Sequence, residues 1–201
     1  TPSSSPSPTC VPSGGAVPEL MYYRFDGTGT TVPNEASSPV GTNPAPIQGG
    51  ITQGGMGEFG GGLIGSGVTS TTDFLNTGWA PNLGASSWTI SLYLNGNYSG
   101  STLYYFFGDG NTAQLRAFTN GVAGPNNILL RGAGLTDITA TGGAPANTPT
   151  VTHFVYDSVA NTVTAYVNGI LVSTVGQGAP NLTGAGPFKV MGYGSNIGSP
   201  A

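Results

Sequence analysis

The sequence predicts an all-β fold: a two-sheet antiparallel jelly-roll sandwich with essentially no helix. Three features carry that expectation. Apolar and polar residues alternate with period 2 in many short runs, Gly, Asn and Pro punctuate the gaps between them, and nowhere do apolar residues recur at helical spacing over several turns. At 201 residues the chain is long enough for one such domain with a sizeable core and too short for two large ones.

In chain order, residues 1–18 (TPSSSPSPTCVPSGGAVP) lack periodicity and are rich in Pro, Ser and Thr, which predicts a solvated, extended linker ahead of a domain over 19–201. Cys10, the single cysteine, excludes an intrachain disulfide and is either an incidental exposed thiol or an intermolecular link. Leu20, Tyr22 and Arg24 alternate with Met21, Tyr23 and Phe25, predicting a strand over 19–25 that ends at an Asp26-Gly27 turn. Residues 33–62 are Gly- and Pro-rich and read mostly as loop, with short strand possibilities near 47–52 and at 63–64. Strands return at 74–78, 87–96 and 101–110, continue at 112–119 and 127–131, and close at 187–194. Within 87–96, Trp88, Ile90, Leu92 and Leu94 share one face and Thr89, Ser91, Tyr93 and Asn95 the other, so Trp88 is expected in the core.

The sharpest segment is VTHFVYDSVANTVTAYVNGILVSTV at 151–175. Val163, Ala165 and Val167 lie on one side of a strand and Thr162, Thr164 and Tyr166 on the other. Asn168-Gly169 then supplies the two positive-φ residues of a type I′ turn. A plain two-residue hairpin pairs Val167 with Ile170, Ala165 with Val172 and Val163 with Thr174. With the upstream run at 151–156, this predicts a three-strand meander whose apolar side needs a second sheet to cover it.

Composition narrows the function classes. Four Lys and Arg against eight Asp and Glu give a net charge of −4, and only 6% of residues are charged. Arg24, Arg116, Arg131 and Lys189 look scattered in the sequence, which argues against a nucleic-acid partner. No apolar run approaches the roughly 20 residues of a membrane span, so no membrane insertion is expected. A surface rich in uncharged polar residues fits a secreted or cell-surface location.

With YYRFDGTGTTVPNEAS, FGGGLIGSGVTSTTDFLNTG, SSWTISLYLN, THFVYDSVANTVTAYVNGILV and FKVMGYG in this order, the chain resembles the laminin-G-like, concanavalin A-like jelly-roll modules of bacterial surface proteins over residues 20–194. The Tyr156-Asp157 and Tyr166-Val167-Asn168-Gly169 hairpin is the most specific element. The resemblance implies a β-sandwich that binds glycans or mediates adhesion, sometimes with calcium. The family usually carries one more strand with acidic residues after the FKVMGYG match. This sequence runs to SNIGSPA instead, which leaves open a fragment or completion by another chain and weakens the calcium implication.

Catalytic signatures are thin. Gly60-x-Gly62-x-x-Gly65 has no helix to follow it and carries no weight as a dinucleotide fingerprint. His153 is the only histidine, excluding a multi-histidine zinc site and reading as a structural strand residue. Retaining glycosidases need two carboxyls about 5–5.5 Å apart. Asp26, Glu35, Glu58, Asp73, Asp109, Asp137 and Asp157 instead stand singly, mostly in turn contexts.

Binding candidates are loop aromatics beside amides: Trp79, which could equally cap the core, and Tyr98 with Asn97. They would stack on sugar rings and hydrogen-bond to hydroxyls. Asp26 and Asp109, in Asp-Gly turns, are possible calcium donors, though turn formation alone explains both. Asn97-Tyr98-Ser99 and Asn181-Leu182-Thr183 are formal glycosylation acceptors. The leading expectation is a non-catalytic extracellular module that binds a glycan or other cell-surface ligand. The alternative is a structural subunit that assembles with other copies of itself, and an enzyme ranks third.

Overall fold

The computed structural model describes residues 19–57, 60–67, 70–98, 100–111, 114–132, 134–178 and 180–194. The expected linker at 1–18 with Cys10, the acidic residue Glu58, the acceptor Ser99 and the segment 195–201 lie outside the described residues. In chain order the strands are β1 (Thr31–Val32), β2 (Ala45–Gln48), β3 (Thr52–Gln53), β4 (Leu63–Ile64), β5 (Phe74–Asn76) and β6 (Asn82–Gly84). Then come β7 (Trp88–Leu94), β8 (Tyr104–Gly108), β9 (Arg116–Thr119), β10 (Ile128–Gly132) and β11 (Leu135–Ala140). The last are β12 (Thr150–Asp157), β13 (Thr162–Val167), β14 (Ile170–Gly176), β15 (Leu182–Thr183) and β16 (Lys189–Val190). Among the described residues the only helical element is a single 3-10 turn, Gly121–Ala123.

Two sheets dominate. The large one runs β1-β2-β5-β16-β8-β9-β10-β11 and the small one β14-β13-β12-β7, with every recorded strand pair antiparallel. The chain's late strand β16 sits mid-sheet between β5 and β8. Large-sheet side chains Phe106, Phe107, Ala117, Leu130 and Ile138 meet small-sheet side chains Trp88, Phe154, Tyr156, Val163 and Ala165 in one continuous core. Phe154 is wholly buried at its centre. Burying a side chain of that size favours the fold by roughly 1.5–3 kcal/mol. A smaller core of Val32, Ala45 and Leu75 lies under Tyr23, Phe25, Ile47, Leu63 and Val190.

The 151–175 meander forms as expected, and β7 adds to its far side, with Phe154 opposite Ile90 and Tyr156 opposite Trp88. Asn168 and Gly169 take positive φ, 49° and 78°. The hairpin register differs from the plain one after its first pair. Val167 faces Ile170, but a bulge at Ala165/Tyr166 places Ala165 opposite Ser173 and Val163 opposite Val175. The reason is legible in the side chains: with the extra residue, both Val172 and Val175 reach the core, while Thr174 turns outward to meet the Thr164 hydroxyl at 3.3 Å.

The strand expected at 19–25 does not join a ladder. Tyr22 donates its N–H to Asn34 Oδ1 at 2.9 Å, Asn34 Nδ2 donates to the Leu20 carbonyl at 2.9 Å, and Glu35 N–H donates to the Tyr22 carbonyl at 3.0 Å. The partner segment contains Pro33 and Pro39, which lack N–H donors, so side-chain amides replace regular pairing. Four elements had no counterpart in the sequence expectation: β1, β6, β11 and β15. Three of them are two or three residues long.

Candidate functional site

Strand alternation on the large sheet sends Ala117, Leu130 and Ile138 into the core, so Arg116, Phe118, Leu129, Arg131, Asp137 and Thr139 point to the opposite, outer face. Cross-strand register lines them up. Asn76 faces Lys189, Lys189 faces Gly108, Gly108 faces Arg116, and Arg116 faces Arg131. Arg131 then pairs with Asp137 on the next strand. Three of the chain's four cations therefore share one row on one face.

Aromatic rings fill the space between these cations. Tyr193 follows β16 and lies over Gly108, where an added Cβ would stand 2.7 Å from the ring. Glycine is needed there for room. Tyr105 packs on Tyr193 with centroids 5.1 Å apart and on Phe118 at 5.5 Å. The Arg116 guanidinium sits 4.7 Å from the Tyr193 centroid, Arg131 lies over Phe118 at 5.9 Å, and Lys189 Nζ lies 4.0 Å from the Phe74 centroid. Phe118, Leu129 and Ala123 form a small buried cluster beneath this layer, with Tyr105 half-buried against it.

The polar groups are held in defined orientations. Arg131 donates from Nε to both Asp137 oxygens, at 2.8 and 3.0 Å, and from Nη2 to Oδ2. This fork holds the Asp137 carboxyl below the usual carboxylate range and raises Arg131. Arg116 donates to the Gln114 carbonyl at 3.0 Å, and Lys189 to the Gly194 carbonyl at 2.6 Å. Burial lowers the Lys189 ammonium, and burial raises the Tyr105 hydroxyl despite the opposing pull of Arg116. Chemically the face offers the half-buried Tyr105 ring, backed by the buried Tyr193 and Phe118, for apolar C–H groups, and fixed donors for oxygens.

The residues named from sequence occupy other places. Tyr98 is a correction. It is buried, not an exposed loop ring: it meets Phe106 edge-on at 5.1 Å and Tyr104 at 6.1 Å, and burial raises its hydroxyl pKa. Its aromatic neighbours pull it inward from a loop that sequence context marks as surface. Asn97 beside it is exposed. Trp79 is half-buried, edge-on to Phe188 at 5.7 Å and packed against the main core. Trp88 is core, as expected, at 7% exposure.

The two carboxylates expected as calcium donors already have partners of their own. Asp109 is fully buried, accepting the Asn111 N–H at 2.8 Å on Oδ1 and the Gly186 N–H at 3.1 Å on Oδ2. Asp26 pairs with Arg24 at 3.1 Å. Among the described residues, no group of three or more His, Cys, Asp or Glu is placed to hold a metal.

The scattered look of the cations in sequence is likewise corrected, since strand pairing gathers Arg116, Arg131 and Lys189. A partial signal was present: Arg116-x-Phe118 and Leu129-x-Arg131 each set a cation and a large apolar group on one strand face. Which strands lie side by side was not legible.

No family model and no curated protein matches the chain. Among solved structures it is similar to domain 4 of AbnA, a GH43 extracellular arabinanase from Geobacillus stearothermophilus, solved in complex with arabinotriose. The identity is 14%, the TM-score 0.53, and 79% of each chain is covered. A looser likeness is to the CBM40 of the Ruminococcus gnavus IT-sialidase bound to α2,3-sialyllactose, at 14% identity and TM-score 0.43 over 57% of this chain and 71% of that one. Among the described residues no helix is long and apolar enough to cross a membrane. The chain is an all-β antiparallel sandwich that shares its fold with the arabinanase domain.

Proposed function

We propose that this chain is a non-catalytic carbohydrate-binding module of a larger extracellular protein, related to the laminin-G-like, concanavalin A-like sandwiches, and that it takes its glycan on the outer face of the large sheet. One observation carries this: the half-buried Tyr105 ring, backed by the buried rings of Tyr193 and Phe118 on either side, lies on the same face as Arg116, Arg131 and Asp137. Sugars present apolar C–H faces and a rim of hydroxyls, so a site for them needs ring surface beside fixed donors and acceptors. The likeness to the arabinotriose-bound arabinanase domain supports the reading at the level of fold. Carboxylates held by turn N–H groups, such as Asp157 with Val159 and Ala160, support a scaffolding role for the acids over glycosidic catalysis.

Affinity electrophoresis in gels holding neutral or acidic polysaccharides tests the assignment. The folded protein should be retarded by at least one polymer, and Tyr105→Ala should weaken retardation about tenfold, in line with roughly 1–3 kcal/mol for a stacked ring. Retardation by none of them would sink the proposal. Loss with Trp79→Ala but not with Tyr105→Ala would move the site to the rim, where the sequence alone put it.

The second reading, assembly with other copies, has one observation in its favour. Ile170 and Leu171, at the start of edge strand β14, are 69% and 57% exposed. Open apolar edges favour association, and sedimentation of Leu171→Lys against the parent chain checks it: oligomers that dissociate in the variant would support assembly.

A further inference from the structure

We infer that the saccharide bound on the large-sheet face bears a carboxylate, an inference that rests on the glycan-binding reading above. The charge arrangement leads there. Eight acids and four bases make the chain acidic as a whole, yet among the described residues the strand row on this face sets Lys189, Arg116 and Arg131 against one carboxylate, Asp137. Arg116 and Arg131 lie directly opposite each other on neighbouring strands, a like-charge placement that destabilises a sheet unless something between them is negative. Asp137 spends its hydrogen bonds on Arg131 and reaches Arg116 only through space. Arg116 lies against the Tyr193 ring and hydrogen-bonds to one carbonyl, Gln114. A guanidinium carries five N–H donors in a fixed fork, so this leaves it suited to a planar, two-oxygen anion.

The face already contains one example of that fit. The Asp137 carboxylate lies across Arg131 Nε and Nη2 in a two-pronged arrangement. A sugar carboxylate on the half-exposed Arg116 guanidinium would repeat it one strand over, with the half-buried Tyr105 ring as adjoining surface and Lys189, two strands away beyond Tyr193, adding longer-range attraction. A neutral glycan uses the rings but leaves the cation row uncompensated. Nucleic acid would need many more phosphate contacts than three cations provide.

The test uses the full 201-residue chain and affinity electrophoresis in gels containing polygalacturonate, the same polymer after carboxyl reduction, dextran sulfate, or dextran. The inference expects retardation by polygalacturonate, at least tenfold weaker after carboxyl reduction and at least tenfold weaker with Arg116→Gln, and falling severalfold as salt rises from 0.05 to 0.5 M, where the screening length drops from about 14 to 4 Å. Near-ultraviolet circular dichroism of Arg116→Gln identifies a folded variant, and Lys189→Gln gives an independent second loss. Equal retardation by native and carboxyl-reduced polymer would overturn the carboxylate while leaving glycan binding intact. Stronger retardation by dextran sulfate than by polygalacturonate would overturn it in favour of sulfated sugars. Retardation by no polymer would remove the glycan reading itself.

Discussion

The two outer faces of this sandwich start from the same alternating pattern and end as opposites. On the small sheet, the row Ser91, His153, Tyr166, Leu171 crosses all four strands, flanked by Thr89, Val155, Thr164 and Thr174. Its polar groups bond to one another: Ser91 Oγ lies 2.8 Å from His153 Nδ1, and Thr164 meets Thr174. On the large sheet, the corresponding rows carry, among the described residues, three cations, one carboxylate and three packed rings. A face that satisfies its own hydroxyls and carries little charge needs only water. A face where cations outnumber acids inside an acidic chain holds electrostatic attraction that a ligand can use. Tyrosine on an outer face is common to both, so aromatic content alone does not mark a site.

The largest expected effect erases the comparison. Phe154→Ala empties the centre of the core that both sheets share and should cost about 3–5 kcal/mol, seen as an earlier urea midpoint with both faces lost together. Next, Gly108→Val should separate the faces. Its side chain collides with the Tyr193 ring, so a loss of about 1–3 kcal/mol is expected together with glycan retardation, while the Ser91–His153 contact stays as it is. Retained binding in a stably folded Gly108→Val protein would argue against the Tyr193 layer. Tyr166→Ala on the small sheet should alter retardation less than twofold, and a larger loss would move the site to that face.

The smallest effect is a pH dependence. The Arg131 fork holds the Asp137 carboxyl below its unfolded value, so its stabilisation is complete above the unfolded pKa of about 3.9 and drains away as pH falls through the folded one. Because Asp137 is 39% exposed, the amount is under about 1 kcal/mol. Asp73 acts in the same direction, lowered first by the Ser66 hydroxyl and also by Ser70, Thr72 and the Gly50 N–H. Urea unfolding of Asp137→Asn between pH 2 and 6 should show a shallower acid limb than the parent.

Much of the fold was legible because strand signals are local. The alternation at 87–94 and 151–167 and the Asn168-Gly169 turn each depend on residues within a few positions, and they form where expected. The exceptions have non-local causes. The segment 19–25 lost its ladder because of prolines elsewhere in the chain, and β14 slipped by one residue to bring Val175 under the sheet. β11 went unnoticed because Thr136 and Asp137 interrupt its apolar pattern, and Asp137 is tolerated there because Arg131 answers it from the neighbouring strand.

The sequence by itself determined the all-β class, the meander, the core position of Trp88 and the low charge, since each follows from period, turn chemistry or composition. Only the tertiary structure decided that Tyr98 is buried, that Asp109 spends both oxygens on backbone N–H groups, and that Arg116, Arg131 and Lys189 stand in one row. The reason is physical. Which face a side chain takes is set by its own strand, but which strands become neighbours, and in what register, is set by how the shared core packs, and β16 entering between β5 and β8 is the step that completes the row.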